Sequence, residues 1–139
     1  MKKILVATDG SQESGRALDR AIEAAKAGPA EIIVVNVAEE WCPIGLVEVD
    51  CDTISRLVMK EAEGVMEAAL AKTAAAGLTA RGIIEKGSPA EAIIEVAKRE
   101  NADEIIAASH GKHGAKKLAM GSVSARLVEW APCPVTVVK

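Results

Sequence analysis

The sequence predicts an α/β fold: a three-layer, doubly wound, five-stranded parallel sheet with helices on both faces. Three observations carry that prediction. Five short aliphatic runs recur along the 139 residues, around Ile4, Ile32, Ile83, Ile105 and Val135. Most are continuously apolar where a half-exposed sheet would alternate, the pattern of strands covered on both faces. Segments with apolar residues at helical spacing separate them, and strands that alternate with helices build a parallel sheet.

Local signals place each element. Lys3–Ala7 reads as the first strand, ended by the turn Thr8-Asp9-Gly10-Ser11 with Ser11 as N-cap. The next helix shows Ala17, Leu18, Ala21, Ile22 and Ala25 on one face and stops at Gly28-Pro29. Glu31–Val37 is the second strand, which makes a βαβ unit with a right-handed crossover. Glu39–Asp52, holding Trp41, Cys42, Pro43 and Gly45, has no period and reads as a surface excursion. Thr53–Ala76 is the longest helix, with the apolar stripe Ile54, Leu57, Val58, Ala62, Val65, Met66, Ala69 and Thr73. Gly64 weakens it by about 1 kcal/mol relative to Ala, and Gly77 lies just past its end.

Leu78–Glu85 is the third strand. Gly87-Ser88-Pro89-Ala90-Glu91 opens a helix with a serine cap, a proline at the first position and a glutamate three residues on. That helix turns Ile93, Ile94 and Ala97 inward and ends near Asn101; Asp103–Ala108 is the fourth strand. Ser122–Trp130 forms the last helix, with Val123, Leu127 and Trp130 as its inward face. Pro132 and Pro134 then impose extended backbone, and Val135–Val138 is the final strand.

Composition narrows the function. A chain of this length fits one domain, residues 1–139. Its net charge of -3 argues against general affinity for nucleic acid or membranes. With two Trp, no Phe and no Tyr, the composition argues against base-stacking recognition of single strands as well. No apolar run approaches the ~18 residues of a membrane span, and no signal peptide is seen. Cys42, Cys51 and Cys133 show no metal-ligand spacing; Cys42 and Cys51 lie on one excursion where they could pair or sense oxidants, but an odd number without a signal favours reduced thiols in a cytoplasm.

The most informative stretch lies between the fourth strand and the last helix. Although the chain is acidic, no Asp or Glu occurs between Glu104 and Glu129, whereas Lys112, Lys116, Lys117 and Arg126 do. A basic, glycine-bearing strand-to-helix loop is a place to hold a phosphate: glycines admit close approach and the helix N-terminus favours an anion. Ser122 and Ser124 add hydroxyls there. In doubly wound sheets, ligands bind beyond the carboxyl ends of the strands where the order reverses. If the first and fourth strands are neighbours, one crevice holds Asp9, the end of the second strand near Val37, and this loop.

These residues resemble the universal stress protein family over the whole chain. The resemblance rests on Lys3-Ile4-Leu5-Val6-Ala7-Thr8-Asp9-Gly10-Ser11, Gly87-Ser88-Pro89-Ala90, Ala102-Asp103-Glu104-Ile105-Ile106 and Cys133-Pro134-Val135. Family members that bind ATP carry glycine, two residues, glycine, nine residues, then glycine with Ser or Thr. Gly111, nine residues and Gly121-Ser122 match, while Ala108 replaces the first glycine; as the end of a strand it has extended backbone that accommodates a methyl. The resemblance implies an adenine nucleotide alpha hydrolase-like, Rossmann-like sheet of order 3-2-1-4-5. It also implies a nucleotide site in which Asp9 contacts the ribose, Ala7 and Thr8 line the pocket, Val37 packs on adenine, and Ala108, Gly111, Gly121, Ser122, Val123 and Ser124 surround the phosphates. ATP, with Mg²⁺ or Mn²⁺, is the implied ligand. A homodimer through Val135–Val138 would cover an apolar sheet edge, and a protein partner of unknown identity would receive the signal.

The remaining residues carry plainer expectations. His110 and His113 lack a third ligand and read as solvated loop residues. Met59, Met66 and Met120 read as packing residues, and Trp130 as core. No phosphate-binding G-x-x-x-x-G-K-[ST] motif and no nucleophile–base pair is present. The expected function is therefore a nucleotide-binding regulatory module for stress responses, with at most slow ATP hydrolysis. The alternative is an interaction protein of the same fold without nucleotide.

Overall fold

The computed structural model describes residues 1–39, 50–111 and 120–139. Strand β1 (Lys2–Ala7) leads to helix α1 (Gln12–Ala27), β2 (Ala30–Ala38), α2 (Cys51–Ala75), β3 (Ala80–Lys86), α3 (Pro89–Glu100), β4 (Glu104–Ala108), α4 (Ser122–Trp130) and β5 (Val135–Val138). The strands form one sheet of order β3-β2-β1-β4-β5. All four pairings are parallel, with Leu5 opposite Ile33 on one side and Ile105 on the other. The expected fold class and strand order are those observed.

The two faces of the central strands are buried by different helices. Ile4, Val6, Ile32, Val34 and Ile106 pack with Ala17, Leu18, Ala21, Met66 and Ala69 of α1 and α2. Leu5, Ile33, Val35, Ile105 and Ala107 pack with Ile93, Val96, Ala97 and Leu127 of α3 and α4. Alternate residues serve opposite layers, so a one-residue slip would exchange every contact, and burial fixes the register.

Helix ends follow the sequence signals closely. Ser11 caps α1, its hydroxyl accepting from the Ser14 amide at 3.1 Å. α2 begins two residues before the expected start because Asp50 caps it, accepting from the Asp52 amide at 3.1 Å. Ser88 occupies the N-cap of α3 but its hydroxyl caps no helix amide; Pro89 supplies the start instead. Asn101 closes α3 in the left-handed region, and Gly77 takes a φ of 80° beyond α2.

Several inward assignments need correction. Trp130, expected in the core, is 65% exposed, and Leu57 on α2 is 61% exposed. Both keep the helical spacing of their inward neighbours, yet neither packs against either core cluster. Met66 is buried as expected; Met59 and Met120 are half-buried. Cys51 is disulfide-bonded rather than a reduced thiol, while Cys133 is free. The expectations for Trp41, Cys42, Pro43, Gly45, Lys112, His113, Lys116 and Lys117 fall outside the described residues. No helix among the described residues is long and apolar enough to cross a membrane.

Glu104 ties the amino ends of three strands together. Its carboxylate takes the Lys2 ammonium at 2.7 Å and the Thr136 hydroxyl at 2.8 Å, joining β1, β4 and β5. Burial pushes its pKa up, but these two hydrogen bonds and the Lys2 charge outweigh burial and hold it below the usual glutamate value. A depressed carboxyl pKa contributes stability that is present above the unfolded value and lost as pH falls through the folded one. Resistance to urea should therefore fall with acidification across that window, and Glu104→Gln should remove part of the slope. An unchanged slope would contradict this role for Glu104.

Candidate functional site

β1 and β4 are neighbours, yet their following connections leave to opposite layers, so a crevice opens beyond their carboxyl ends. A cavity of about 320 Å³ fills it. Its walls include every residue the sequence nominated: Ala7, Thr8 and Asp9 after β1, Val37 on β2, Ala108 and Gly111 after β4, and Gly121, Ser122, Val123 and Ser124 at the start of α4. Residues more than a hundred positions apart thus share one surface.

The turn after β1 is held from within. Asp9 Oδ1 accepts the Ser11 amide at 2.9 Å, and the hydroxyls of Thr8 and Ser14 lie 3.1 Å apart in a buried pair. Gly10 makes the turn with a φ of 83°, a conformation that side chains disfavour. A Cβ on Gly10 would also lie 2.8 Å from Val65 Cγ2 of α2. These contacts set the Asp9 carboxylate over the crevice, where its other oxygen faces Gly111: a Cβ there would sit 2.7 Å from Asp9 Oδ2.

The opposite wall is built on Ser109. Its carbonyl accepts the Gly121 amide at 2.6 Å and the buried Ser124 hydroxyl at 2.8 Å; that hydroxyl also approaches the Gly121 carbonyl at 3.1 Å. Ser109 itself is anchored on β5, its amide donating to the Val138 carbonyl at 2.8 Å. The ends of the loop are thereby clamped together whatever lies between them. Gly121 is the N-cap of α4 and offers no side chain, so the first amides of α4 face the cavity beside the Ser122 hydroxyl. Ser124 contributes differently from expectation: its hydroxyl is spent on the clamp. His110, expected in solvent, is half-buried and lines the cavity, with Nδ1 3.2 Å from the Ser109 hydroxyl.

Ala108 has extended backbone as the last residue of β4 and does not take a positive φ. Its methyl packs against the α1 and α2 core, so the side chain costs no backbone strain. The cavity continues between β2 and α2, where Val58, Glu61, Ala62 and Val65 line it at successive helical turns. Asn36 lines the same part and was missed by the sequence reading, which saw only an apolar run; a single amide inside that run was the available signal.

The universal stress protein family model matches residues 1–139. The chain belongs to the universal stress protein family. A family member from Bacillus subtilis, YxiE, is 36% identical over 145 residues, covering 99% of this chain and 98% of that one. Among solved structures, the hypothetical protein MJ0577 superposes with a TM-score of 0.86 at 33% identity, covering 99% of this chain and 95% of that chain. A universal stress protein solved in complex with cAMP gives a TM-score of 0.75 at 25% identity, covering 99% and 97%.

The two loop glycines differ in what opposes a side chain. At Gly111 the obstacle is the tip of the Asp9 side chain, which can rotate away; at Gly121 it is the Ser109 carbonyl, 3.0 Å from the added Cβ and fixed by the clamp. Gly121→Ala should therefore lower the stability of this family member by about 1–3 kcal/mol, the usual cost of overpacking. Gly111→Ala should cost under about 1 kcal/mol. Urea midpoints of the two variants check the order, and a reversed order would contradict the clamp.

Proposed function

We propose that this universal stress protein binds ATP in the crevice beyond β1 and β4 and acts as a homodimeric regulatory module that reports nucleotide state to a protein partner. One observation carries the reading: the Asp9 carboxylate stands against Gly111 while the side-chain-free start of α4 opens on the same cavity. A carboxylate suits the paired hydroxyls of a ribose, and exposed amides at a helix N-terminus suit phosphate. The cAMP bound to a structural neighbour supports an adenine nucleotide.

In this reading Asp9 holds the ribose, with Ala7 and Thr8 beside it. Val37 packs on the base, and Gly111, Gly121, Ser122 and Val123 surround the phosphates. Ser124 keeps the loop closed, and Ala108 leaves room in its extended conformation. No cluster of three metal-ligating side chains occurs among the described residues, so Mg²⁺ or Mn²⁺ would enter on the phosphates themselves. The reading is of binding and signalling rather than efficient turnover.

Thermal unfolding with and without millimolar MgATP tests it. Ligand at ~100 times its Kd adds about 2.7 kcal/mol, a rise of several degrees in Tm. Ser122→Asp is the matched control: an acidic residue in the first turn favours the helix but repels phosphate. A rise in the native chain that the variant lacks is the expected result. The absence of any rise would replace this reading with a nucleotide-free interaction protein of the same fold.

The dimer is proposed through β5. This edge strand is half-buried along its length. The amides of Ile105 and Ser109 donate to the carbonyls of Pro134 and Val138. In a ladder with a two-residue repeat, the backbone groups of Val135 and Val137 therefore face the open edge. A second copy of the strand, related by a two-fold axis, would satisfy them. Sedimentation equilibrium at micromolar concentration should give the mass of two chains, and Val137→Pro, which removes an outward donor and keeps the inner ladder, should give one. A native mass of one chain would overturn the dimer.

A further inference from the structure

We infer that Asn36 is a specificity-determining residue of the cavity, its amide oxygen selecting a purine with an amino group at position 6 over one with a carbonyl there. Asn36 is the one polar side chain in the run Ile32-Ile33-Val34-Val35-Asn36-Val37. It is 5% exposed. Burial of an amide is unfavourable unless its polar atoms find partners, so its presence in an otherwise apolar strand needs a reason.

Strand alternation places it. Ile32 and Val34 pack with α1 and α2, and Asn36 continues that face; its Nδ2 donates to the Ala62 carbonyl of α2 at 3.4 Å. That bond is long, beyond the usual 2.7–3.2 Å range, and its acceptor lies in the interior of a helix, where carbonyls already accept a helical amide. As a tie between β2 and α2 it contributes little. The oxygen is more informative. Among the described residues Oδ1 has no hydrogen-bond partner, yet no fully buried side-chain oxygen or nitrogen is left unpartnered. Oδ1 is therefore reached from open space, and the space that Asn36 lines is the cavity.

The surroundings define what would meet it. Val58, Ala62 and Val65 of α2 and Ala38 of β2 form apolar walls on this part of the cavity. A flat heteroaromatic ring fits between apolar walls, and the buried amide oxygen beside them selects a ring edge that donates, while the Glu61 carboxylate on the same helix is exposed. Adenine presents an exocyclic amino group, a donor; the 6-oxo purines present an acceptor at the same position, which would leave Oδ1 facing another oxygen. A site that presents a hydrogen-bonding atom discriminates strongly against a ligand lacking the complement, because both groups are left unpaired. This role rests on the adenine-nucleotide reading of the cavity.

Isothermal titration of the full chain with MgATP and MgITP, which differ in the 6-substituent, tests the role. The native chain should prefer ATP by about tenfold or more, the consequence of one mispaired buried polar contact. Asn36→Leu, close in volume and without an acceptor, should lower the ATP-to-ITP ratio by about fivefold to thirtyfold. Asn36→Asp keeps the acceptor and should keep the ratio, even where its charge weakens both nucleotides together. If Asn36 merely ties β2 to α2, both variants would lose stability and neither would move the ratio. A ratio unchanged in Asn36→Leu, with both nucleotides bound, overturns the role of Asn36 alone. A native chain that binds neither nucleotide overturns the nucleotide reading and this inference with it. Should Asn36→Leu fail to fold, Asn36→Asp decides: loss of the ratio there contradicts the acceptor role.

Discussion

The pairing of β1 with β4 is the constraint on which the rest depends. Because β2 already occupies the other side of β1, the chain must travel out to β3 and return to the sheet on the far side of β1. Connections on the two sides of that point leave in different directions, and the gap between them cannot be closed by either helix layer. Everything assigned to the site follows from it. Asp9 ends β1, the glycine loop starts at β4, and Leu5 sits between Ile33 and Ile105 with no exposure. The apolar core fixes the register to the residue, and the register brings the two polar strand ends level with each other.

A second feature is that the site is shaped by backbone rather than by ionic side chains. The Ser109 carbonyl, gripped by the Gly121 amide and the Ser124 hydroxyl, sets where α4 begins. Its position is in turn inherited from β5 through the Val138 carbonyl. The last strand thus serves two purposes at once: it closes the sheet and anchors the loop base. Any change that moves β5, whether at Thr136 and Glu104 or at the open edge, is mechanically connected to the start of α4.

Most of the fold was legible because it is written in patterns that burial enforces. Continuous runs such as Ile32 to Val35 have no stable alternative to a strand covered on both sides, and Ser11, Gly77 and Asn101 mark ends where the backbone needs a cap or a positive φ. The residues of the site were legible for a different reason: Gly111, Gly121 and Ser122 keep a family spacing. Trp130 and Leu57 were misplaced because helical periodicity reports which residues share a face but not whether a neighbour packs on each of them. At Cys51 the less favoured reading, a pair, is the one found, because an odd count says nothing about any one pair. Asn36 was invisible for the opposite reason, since a lone amide in a strong apolar run does not disturb the run's pattern.

The division of the cavity into two chemical halves argues for a ligand that is itself divided. At one end the lining is glycine, hydroxyl and the start of α4; at the other it is Val58, Ala62 and Val65 with the Asn36 amide and the Glu61 carboxylate. A free phosphate would leave the apolar half unfilled, and an apolar metabolite would leave the α4 amides without an acceptor. Asp9 lies at the junction, where a neutral polyol is tolerated but a second phosphate would be repelled. Of the common metabolites, a nucleotide places an anion, a diol and an aromatic base in that order. The walls of this crevice bring helix-start hydroxyls, a carboxylate and an apolar lining to one cavity.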